Sequence, residues 1–301
     1  MAEPQPTTTS LRDDAQAALR IAGPSIVRIG RAPGRGNGIV VGDGAVLTNA
    51  HNLRDRTTEV TFADGRAVQG EVLAADPDGD LVVLSVDTGA APAAVWADTD
   101  AVPGDVVFAV ARRADGGERV SHGIVSGVDH AFRGPRGRQI AGSLEHTAPL
   151  ARGSSGSPVL DRTGRLLGLN TARLPDGFYL ALPADAALRD RVDALLRGES
   201  LERLVLGVGL APADVARQLR ASVGLPERDG LLVRVVADGS PAAVAGVKTG
   251  DLLIAAGRSA VATLDDLHRA LDAARTDRAL PLTVLRGTDE LTLEVAFPDQ
   301  P

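Results

Sequence analysis

The chain has 301 residues, a net charge of -7, 44% hydrophobic residues and only 2% aromatic ones. This length predicts two domains that each bury a core, and the acidic balance argues against broad nucleic-acid binding, because a phosphate-binding surface is normally basic. The chain has no cysteine, which excludes disulfides, thiol catalysis and cysteine-ligated zinc; we expect neither a metal nor another cofactor.

The first 24 residues precede the first predicted strand. Residues 1–9 are polar and predict a flexible tail, and Ser10 caps a short helix that Gly23-Pro24 ends. The chain has no apolar run of about 18 residues and no basic segment followed by an apolar one at its start, so we expect neither a membrane span nor a secretory signal. The chain as it stands predicts a cytoplasmic protein, or a cell-envelope protein if its N terminus has been trimmed.

Short strands separated by turn residues follow, without intervening helices. They fall into two groups, at 25–90 and 105–183, joined by a crossing that is rich in Ala, Pro and Asp. This spacing is typical of all-β barrels or sandwiches, and we predict two barrels of about six strands each. An amphipathic helix over 183–197 closes the predicted first domain, which spans 25–197.

A small α+β domain is predicted over 204–297, after a boundary at Gly198-Glu199-Ser200. Its apolar runs alternate between strand and helix periods and end in a hairpin. The predicted strands lie at 204–210, 230–236 and 251–256, the main helices at 213–220 and 264–274, and the hairpin at 282–297.

Arginine supplies nearly all of the positive charge, since Lys248 is the only lysine. The arginines are scattered along the chain and form no block, which we interpret as a compositional bias and not as a binding surface.

Ser155 lies in the Gly/Ser-rich turn at 153–158. Glycines in such a turn leave a hydroxyl uncrowded, and the turn can direct successive N–H groups at one point, as an oxyanion requires. Turns of this composition are common without any catalytic role. A catalytic interpretation therefore needs a base and an acid elsewhere in the chain.

His51 is the best candidate for the base, because it directly follows the buried strand predicted over 45–48 and can be held by a rigid scaffold. The remaining histidines have no partner pattern and are interpreted as structural: His122, His130, His146 and His268.

Asp80 is the best candidate for the acid. It begins an apolar strand, so its carboxylate is expected at the edge of the core, where it can orient one imidazole. Asp76 and Asp78 are interpreted as turn residues. The alternative for Asp80 is that it only caps the local backbone.

The order His51, Asp80, Ser155 is that of chymotrypsin and not that of the α/β-hydrolases. The sequence resembles the HtrA/DegP-type trypsin-like serine proteases with one C-terminal PDZ domain. The motifs that carry the resemblance surround His51, Asp80 and Ser155, at 47–51, 80–84 and 153–158, and residues 239–251 match the PDZ signature. The resemblance covers about 25–297. It implies an all-β two-barrel (chymotrypsin/trypsin-like) protease domain followed by a small α+β PDZ domain.

The resemblance also implies the roles of residues. Ser155 would be the nucleophile, His51 the general base and acid, and Asp80 its orienting partner, in peptide-bond hydrolysis through an acyl-enzyme. The backbone N–H groups of Gly153, Ser154 and Ser155 would form the oxyanion hole.

For the second domain, the resemblance implies binding of peptide C-termini. Leu206, Gly207 and Val208 match the loop whose N–H groups receive the terminal carboxylate, and the peptide would add as a strand facing Leu267 and Leu271. The alternative is that these residues only pack the domain.

Three departures from the family pattern bear on these expectations. Ser154 and Ser157 stand where the nucleophile turn usually has Asn and Gly, so the Ser157 side chain has to fit within the turn. Tyr179 replaces a small glycine beside the specificity pocket; it either narrows the pocket, favouring Val or Ala, or faces solvent. The N-terminal aromatic residues that form the family's trimer contacts are absent from this chain, which argues against the homotrimer of the family.

We therefore predict a serine endopeptidase that cleaves unfolded or damaged proteins, with a PDZ domain that recruits or senses exposed C-termini. One alternative is a catalytically silent or chaperone-like member that acts through binding alone. A second is a small-molecule esterase, since acyl chemistry does not distinguish esters from amides. The complete set of His51, Asp80 and Ser155 favours an enzyme, and the PDZ domain favours a protein substrate.

Overall fold

The structure is a computed structural model. It describes residues 10–31, 35–113, 115–129, 131–133, 139–140, 142–200, 204–275 and 277–298. The predicted tail at 1–9 and His130 lie outside the described residues. The chain forms two units, Met1–Leu201 and Glu202–Pro301. No helix in the described parts is long and apolar enough to span a membrane.

Helix α1 (Leu11–Ala22) begins as the sequence predicts. The Ser10 hydroxyl accepts a hydrogen bond from Asp13 N at 3.2 Å, and the Asp13 carboxylate accepts one from Ser10 N at 3.3 Å, which is a capping box. Ala18 and Ala22 pack into the core. The chain then passes through a short 3-10 helix, Gly23–Ser25, into the first strand.

Six antiparallel strands close the first barrel, in the spatial order β1-β2-β3-β6-β5-β4. Their inward-facing side chains are almost all Val, Ile or Leu, as the alternating pattern predicts. The strands are β1 (Ile26–Ile29), β2 (Gly36–Gly42), β3 (Ala45–Thr48), β4 (Thr57–Thr61), β5 (Ala67–Asp76) and β6 (Leu81–Ser85).

The second barrel is closed in the order β11-β14-β13-β12-β7-β8. The two-barrel prediction is therefore confirmed. Its strands are β7 (Val106–Arg112), β8 (Glu118–Val128), β11 (Leu144–His146), β12 (Pro158–Leu160), β13 (Leu166–Arg173) and β14 (Tyr179–Pro183). Between β8 and β11, two short strands that the sequence did not predict pair with each other: β9 (Phe132–Arg133) and β10 (Gln139–Ile140).

Helix α2 (Ala186–Leu196) follows the second barrel. Asp185 caps it through a hydrogen bond from Leu188 N to the Asp185 carboxylate, 2.8 Å long. Its apolar face, Leu188, Val192 and Leu195, joins the same core cluster as α1 and strands of both barrels, so the helices that flank the barrel sequence share one core.

In its described residues, the second unit is an antiparallel sheet with three helices. The strand order is β15-β16-β17-β19-β20, with β18 beside β17. The strand predicted from 204 begins only at Val208, because Gly207 has φ +74 and turns the chain. The elements are β15 (Val208–Ala211), α3 (Ala213–Ser222), β16 (Leu231–Val236), α4 (Pro241–Val244), β17 (Leu252–Ala256), β18 (Ser259–Ala260), α5 (Leu264–Ala273), β19 (Ala279–Arg286) and β20 (Asp289–Ala296).

Candidate active site

His51 and Asp80 meet because β3 and β6 are antiparallel neighbours with Thr48 opposite Val82. His51 follows the end of β3, in a single 3-10 turn and not at the strand end itself, and Asp80 directly precedes β6. His51 Nδ1 lies 2.7 Å from Asp80 Oδ2, and His51 N donates to Asp80 Oδ1 at 3.0 Å. The carboxylate therefore holds both the ring and the backbone of His51.

Asp80 is only 3% exposed. Its backbone has φ 57, a left-handed conformation that is uncommon outside glycine. Its carbonyl accepts from Ala50 N and Asn49 Nδ2, both at 3.1 Å. Thr171 Oγ1 donates to Asp80 Oδ2 at 2.8 Å. The carboxylate thus has partners on His51 and Thr171 beyond any local cap, as a buried charge requires.

Asp76, one of the two other Asp residues of this segment, has a different environment. Asp76 Oδ1 accepts from Gly79 N at 2.9 Å, and Asp76 Oδ2 lies 3.3 Å from Arg191 Nη1. These contacts stabilise the turn, as the sequence predicts for Asp76.

The turn that carries Ser155 is docked onto β2. The Ser155 carbonyl accepts from Asn37 N at 2.7 Å and from Asn52 Nδ2 at 3.0 Å. Gly156 has φ +82, and a Cβ there would overlap the Asn37 carbonyl and lie 2.7 Å from Thr48 Oγ1. Only glycine satisfies both the conformation and the close approach. The turn therefore joins the second barrel to the first.

Ser155 Oγ donates a long hydrogen bond of 3.4 Å to the Thr171 carbonyl. Among the described residues, no hydrogen bond joins Ser155 to His51. Thr171 instead contacts both groups of interest, through its carbonyl to Ser155 and through its hydroxyl to Asp80. Thr171 was not singled out from the sequence; the only signal was its polar side chain within the second half of the mainly apolar strand β13.

Gly153 and Ser155 present N–H groups that donate to no acceptor within the described part of the chain. Gly153 has φ +81, and its carbonyl accepts from Asn37 Nδ2 at 2.8 Å. The Ser154 carbonyl accepts from Ser157 N at 3.0 Å. Because these two N–H groups have no acceptor in the described part of the chain, they are available to a ligand oxygen.

Comparison with known proteins agrees with this architecture. Residues 36–169 match the trypsin-like peptidase domain, and residues 205–297 match the PDZ domain. This chain belongs to the HtrA/DegP-type proteins. It pairs a trypsin-like peptidase domain with a PDZ domain.

Two relatives and one solved structure illustrate the similarity. The chain is 32% identical to a probable periplasmic serine endoprotease, DegP-like, of Brucella suis biovar 1, over 88% of this chain and 53% of that protein. It is 28% identical to the serine endoprotease DegS of Escherichia coli K12, over 88% of this chain and 77% of that protein. The HtrA-type protease AlgW, solved with a decapeptide, superposes with a TM-score of 0.70 at 22% identity, covering 95% of this chain and 99% of that one. The chain thus spans about half the length of the DegP-like relative.

In the peptidase domain, a cavity of about 150 Å³, which we name the Tyr179 cavity, adjoins Ser155 and includes Tyr179 in its wall. Tyr179 is 7% exposed, and its hydroxyl donates to the Leu150 carbonyl at 3.4 Å. Its ring stacks on His146, with centroids 5.7 Å apart. Tyr179 therefore lines the cavity, and the alternative in which it faces solvent is wrong.

His146 is fully buried beneath this cavity. Its Nδ1 accepts from Ala148 N at 3.2 Å, so its Nε2–H donates to Asn170 Oδ1 at 2.8 Å. Burial lowers the pKa of His146, which keeps the ring neutral. Asn170 Nδ2 in turn donates to the carbonyl and the hydroxyl of Ser157, each at 3.1 Å. The Ser157 side chain thus fits the turn because Asn170 satisfies its hydroxyl.

In the PDZ domain, a groove of about 480 Å³ lies beside β15 and α5. The five residues that the sequence assigned to peptide binding all line it: Leu206, Gly207, Val208, Leu267 and Leu271. The three leucines are also buried in the domain core, so they pack the domain as well as the groove wall. His268, which the sequence analysis interprets as structural, is half-buried and lines the same groove.

Proposed function

We propose that this chain is a serine endopeptidase that hydrolyses peptide bonds of unfolded or damaged proteins with Ser155, His51 and Asp80. The observation that carries the proposal is that the His51 ring bonds the buried Asp80 carboxylate at 2.7 Å. The residue after His51, Asn52, bonds the Ser155 carbonyl at 3.0 Å and so connects His51 to the Ser155 turn. The relatives named serine endoproteases support the same reaction class.

The reaction follows from these contacts. With its Nδ1–H bonded to Asp80, His51 offers Nε2 as the base. The Ser155 hydroxyl turns from the Thr171 carbonyl toward His51, transfers its proton and attacks the substrate carbonyl. The oxyanion accepts hydrogen bonds from the N–H groups of Gly153 and Ser155, each contributing about 3 kcal/mol to transition-state stabilisation. The imidazolium protonates the leaving amine. Water, which gives a proton to His51, then attacks the acyl carbon, and the Ser155 oxygen leaves with the proton that His51 returns.

Tyr179 supports a preference for small apolar residues, such as Val or Ala, before the scissile bond. The cavity that it lines measures only about 150 Å³. The ring is held by His146 on one side and by the Leu150 carbonyl at its hydroxyl, so a larger side chain would have to displace a packed residue.

The endopeptidase proposal is tested by fluorophosphonate labelling combined with casein digestion. The expected adduct maps to Ser155 by mass spectrometry, and the casein fragments end in small apolar residues. A protein that is not labelled would leave the silent, chaperone-like alternative; labelling without casein digestion would favour the esterase. Fragments ending in large aromatic or basic residues would contradict the role proposed for Tyr179.

The PDZ domain is proposed to bind peptide C-termini as an added strand. Among the described strands, β15 pairs only with β16, so its other edge is free. The carbonyls of Leu206 and Gly207 accept from Ala242 N and Ala237 N, at 3.0 and 2.8 Å, while their own N–H groups donate to no acceptor in the part of the chain that the structure describes. Such N–H groups suit a terminal carboxylate.

A pair of peptides tests this groove. Two fluorescent peptides with the same apolar C-terminal sequence, one ending in a free carboxylate and one in an amide, are titrated into the Ser155→Ala protein. The amide is expected to bind at least about tenfold more weakly, because it loses the charge-assisted hydrogen bonds. Equal affinities in an anisotropy titration would contradict carboxylate recognition.

Two further expectations belong to the same proposal. The domain bounds are proposed as 25–197 for the peptidase and 204–297 for the PDZ domain. The relative named periplasmic favours the cell-envelope alternative for this chain over the cytoplasmic one.

A further inference from the structure

A second cavity of the peptidase domain, of about 370 Å³, adjoins the Ser155 turn and carries an unusual charge. We name it the arginine cavity after the charged residues that line it: Arg28, Arg112, Arg113, Arg119, Arg152 and Asp115. The chain as a whole is acidic, with a net charge of -7. Five arginines that are scattered in the sequence are therefore brought together by the fold, which the interpretation as a compositional bias did not foresee.

Three of these arginines are committed to the protein. Arg28 donates to the Gly30 carbonyl and to Thr61 Oγ1, both at 2.9 Å. Arg112 is buried and bonds the Ile26 and Gly23 carbonyls and Glu118. Arg113 pairs with Asp115.

Arg119 and Arg152 differ from the other three. Both side chains are exposed, and within the described residues neither guanidinium group makes a hydrogen bond or an ion pair. An unpaired guanidinium offers a planar set of donors that matches a carboxylate. In the arginine cavity, three arginines therefore have protein partners, and the guanidinium groups of Arg119 and Arg152 are available to a ligand.

The position of the arginine cavity indicates which ligand reaches it. The arginine cavity and the Tyr179 cavity share residues 151–154 as lining residues. Gly36 also lines the arginine cavity, and the next residue, Asn37, donates its N–H to the Ser155 carbonyl. A peptide with one side chain in the Tyr179 cavity and its scissile carbonyl at Ser155 continues past this turn. The arginine cavity then lies beside the segment that follows the scissile bond.

We infer that the arginine cavity binds an Asp or Glu side chain of the substrate, located within the first few residues after the scissile bond. This subsite rests on the proposed peptidase function. Arg119 and Arg152 bind the carboxylate, whereas Arg112 is already paired with Glu118 and only shapes the wall. The peptidase thereby selects for acidic sequence on the leaving-group side of the bond that it cleaves.

The test measures binding separately from turnover. N-terminally labelled, C-terminally amidated peptides carry Val before the cleavage site and Glu or Gln at each of the three positions after it. They are titrated into the full chain carrying Ser155→Ala. At one position or more, Glu is expected to bind about five- to tenfold more tightly than Gln, as for one or two exposed ion pairs. The ratio is expected to shrink at high salt.

The double variant Arg119→Gln/Arg152→Gln is expected to bring the Glu-to-Gln ratio close to one. Arg12→Gln, which removes an exposed arginine of α1 outside the cavity, is the matched control and keeps the ratio. Equal binding of the Glu and Gln peptides, including undetectable binding of both, overturns the inference. A Glu-to-Gln ratio that is unchanged in the double variant overturns it as well, and so does a preference for Glu only before the scissile bond. Loss of labelling at Ser155 in the wild-type chain overturns the peptidase proposal instead, because these titrations do not need turnover.

Discussion

Asp80→Asn is expected to lower the kcat of peptide hydrolysis about 10⁴-fold without unfolding the protein. The Asp80 carboxylate accepts hydrogen bonds from His51 Nδ1, His51 N and Thr171 Oγ1. A carboxamide keeps the shape but can donate to Nδ1, which moves the ring proton to Nε2. Nε2 could then no longer accept the proton of Ser155, and no negative charge would stabilise the imidazolium.

Steady-state kinetics on a fluorogenic peptide measure this effect, with circular dichroism to verify folding. Asp55→Asn, the same change at an exposed position of the first barrel, is the control and should retain wild-type kcat. A folded Asp80→Asn protein within about tenfold of wild type would show that Asp80 does not set the tautomer of His51.

Gly156→Ala is expected to destabilise the peptidase domain by about 2–4 kcal/mol, through left-handed strain and overpacking. Gly156 has φ +82, and the new methyl group would overlap the Asn37 carbonyl and press on Thr48 Oγ1. Relief requires the turn to move away from β2, which would displace Ser155 and its N–H group. We therefore expect kcat/KM to fall by at least about 100-fold, as for a misplaced reacting group.

Urea unfolding separates the two causes when Gly104→Ala is measured in parallel. Gly104 also has a positive φ, +98, but nothing lies within 4 Å of a Cβ there. Gly104→Ala therefore reports the conformational strain alone, and the additional loss in Gly156→Ala reports the steric overlap. Equal free energies of unfolding for the two variants would contradict the close packing of the turn against β2.

The barrels could be predicted because strand formation depends on a local pattern. Alternating apolar residues define β3 and β6, and Gly or Asp marks the turns between strands. The strand prediction was wrong where the backbone conformation departs from what the apolar pattern indicates. The strand expected from residue 204 starts at Val208 because Gly207 adopts a positive φ, and nothing in an apolar pattern signals that conformation.

The order of His51, Asp80 and Ser155 and the alternation of apolar residues along the strands were determined by the sequence alone, because residue type and spacing are local properties of the chain. The tertiary structure alone decided that Thr171 bonds both Asp80 and Ser155 and that Tyr179 lines a cavity and does not face solvent. It also decided that five arginines scattered in the sequence meet in one cavity. These contacts join residues far apart in the chain; Thr171 and Asp80, for example, are 91 positions apart. Their geometry depends on how the two barrels close and pack, which no local pattern records.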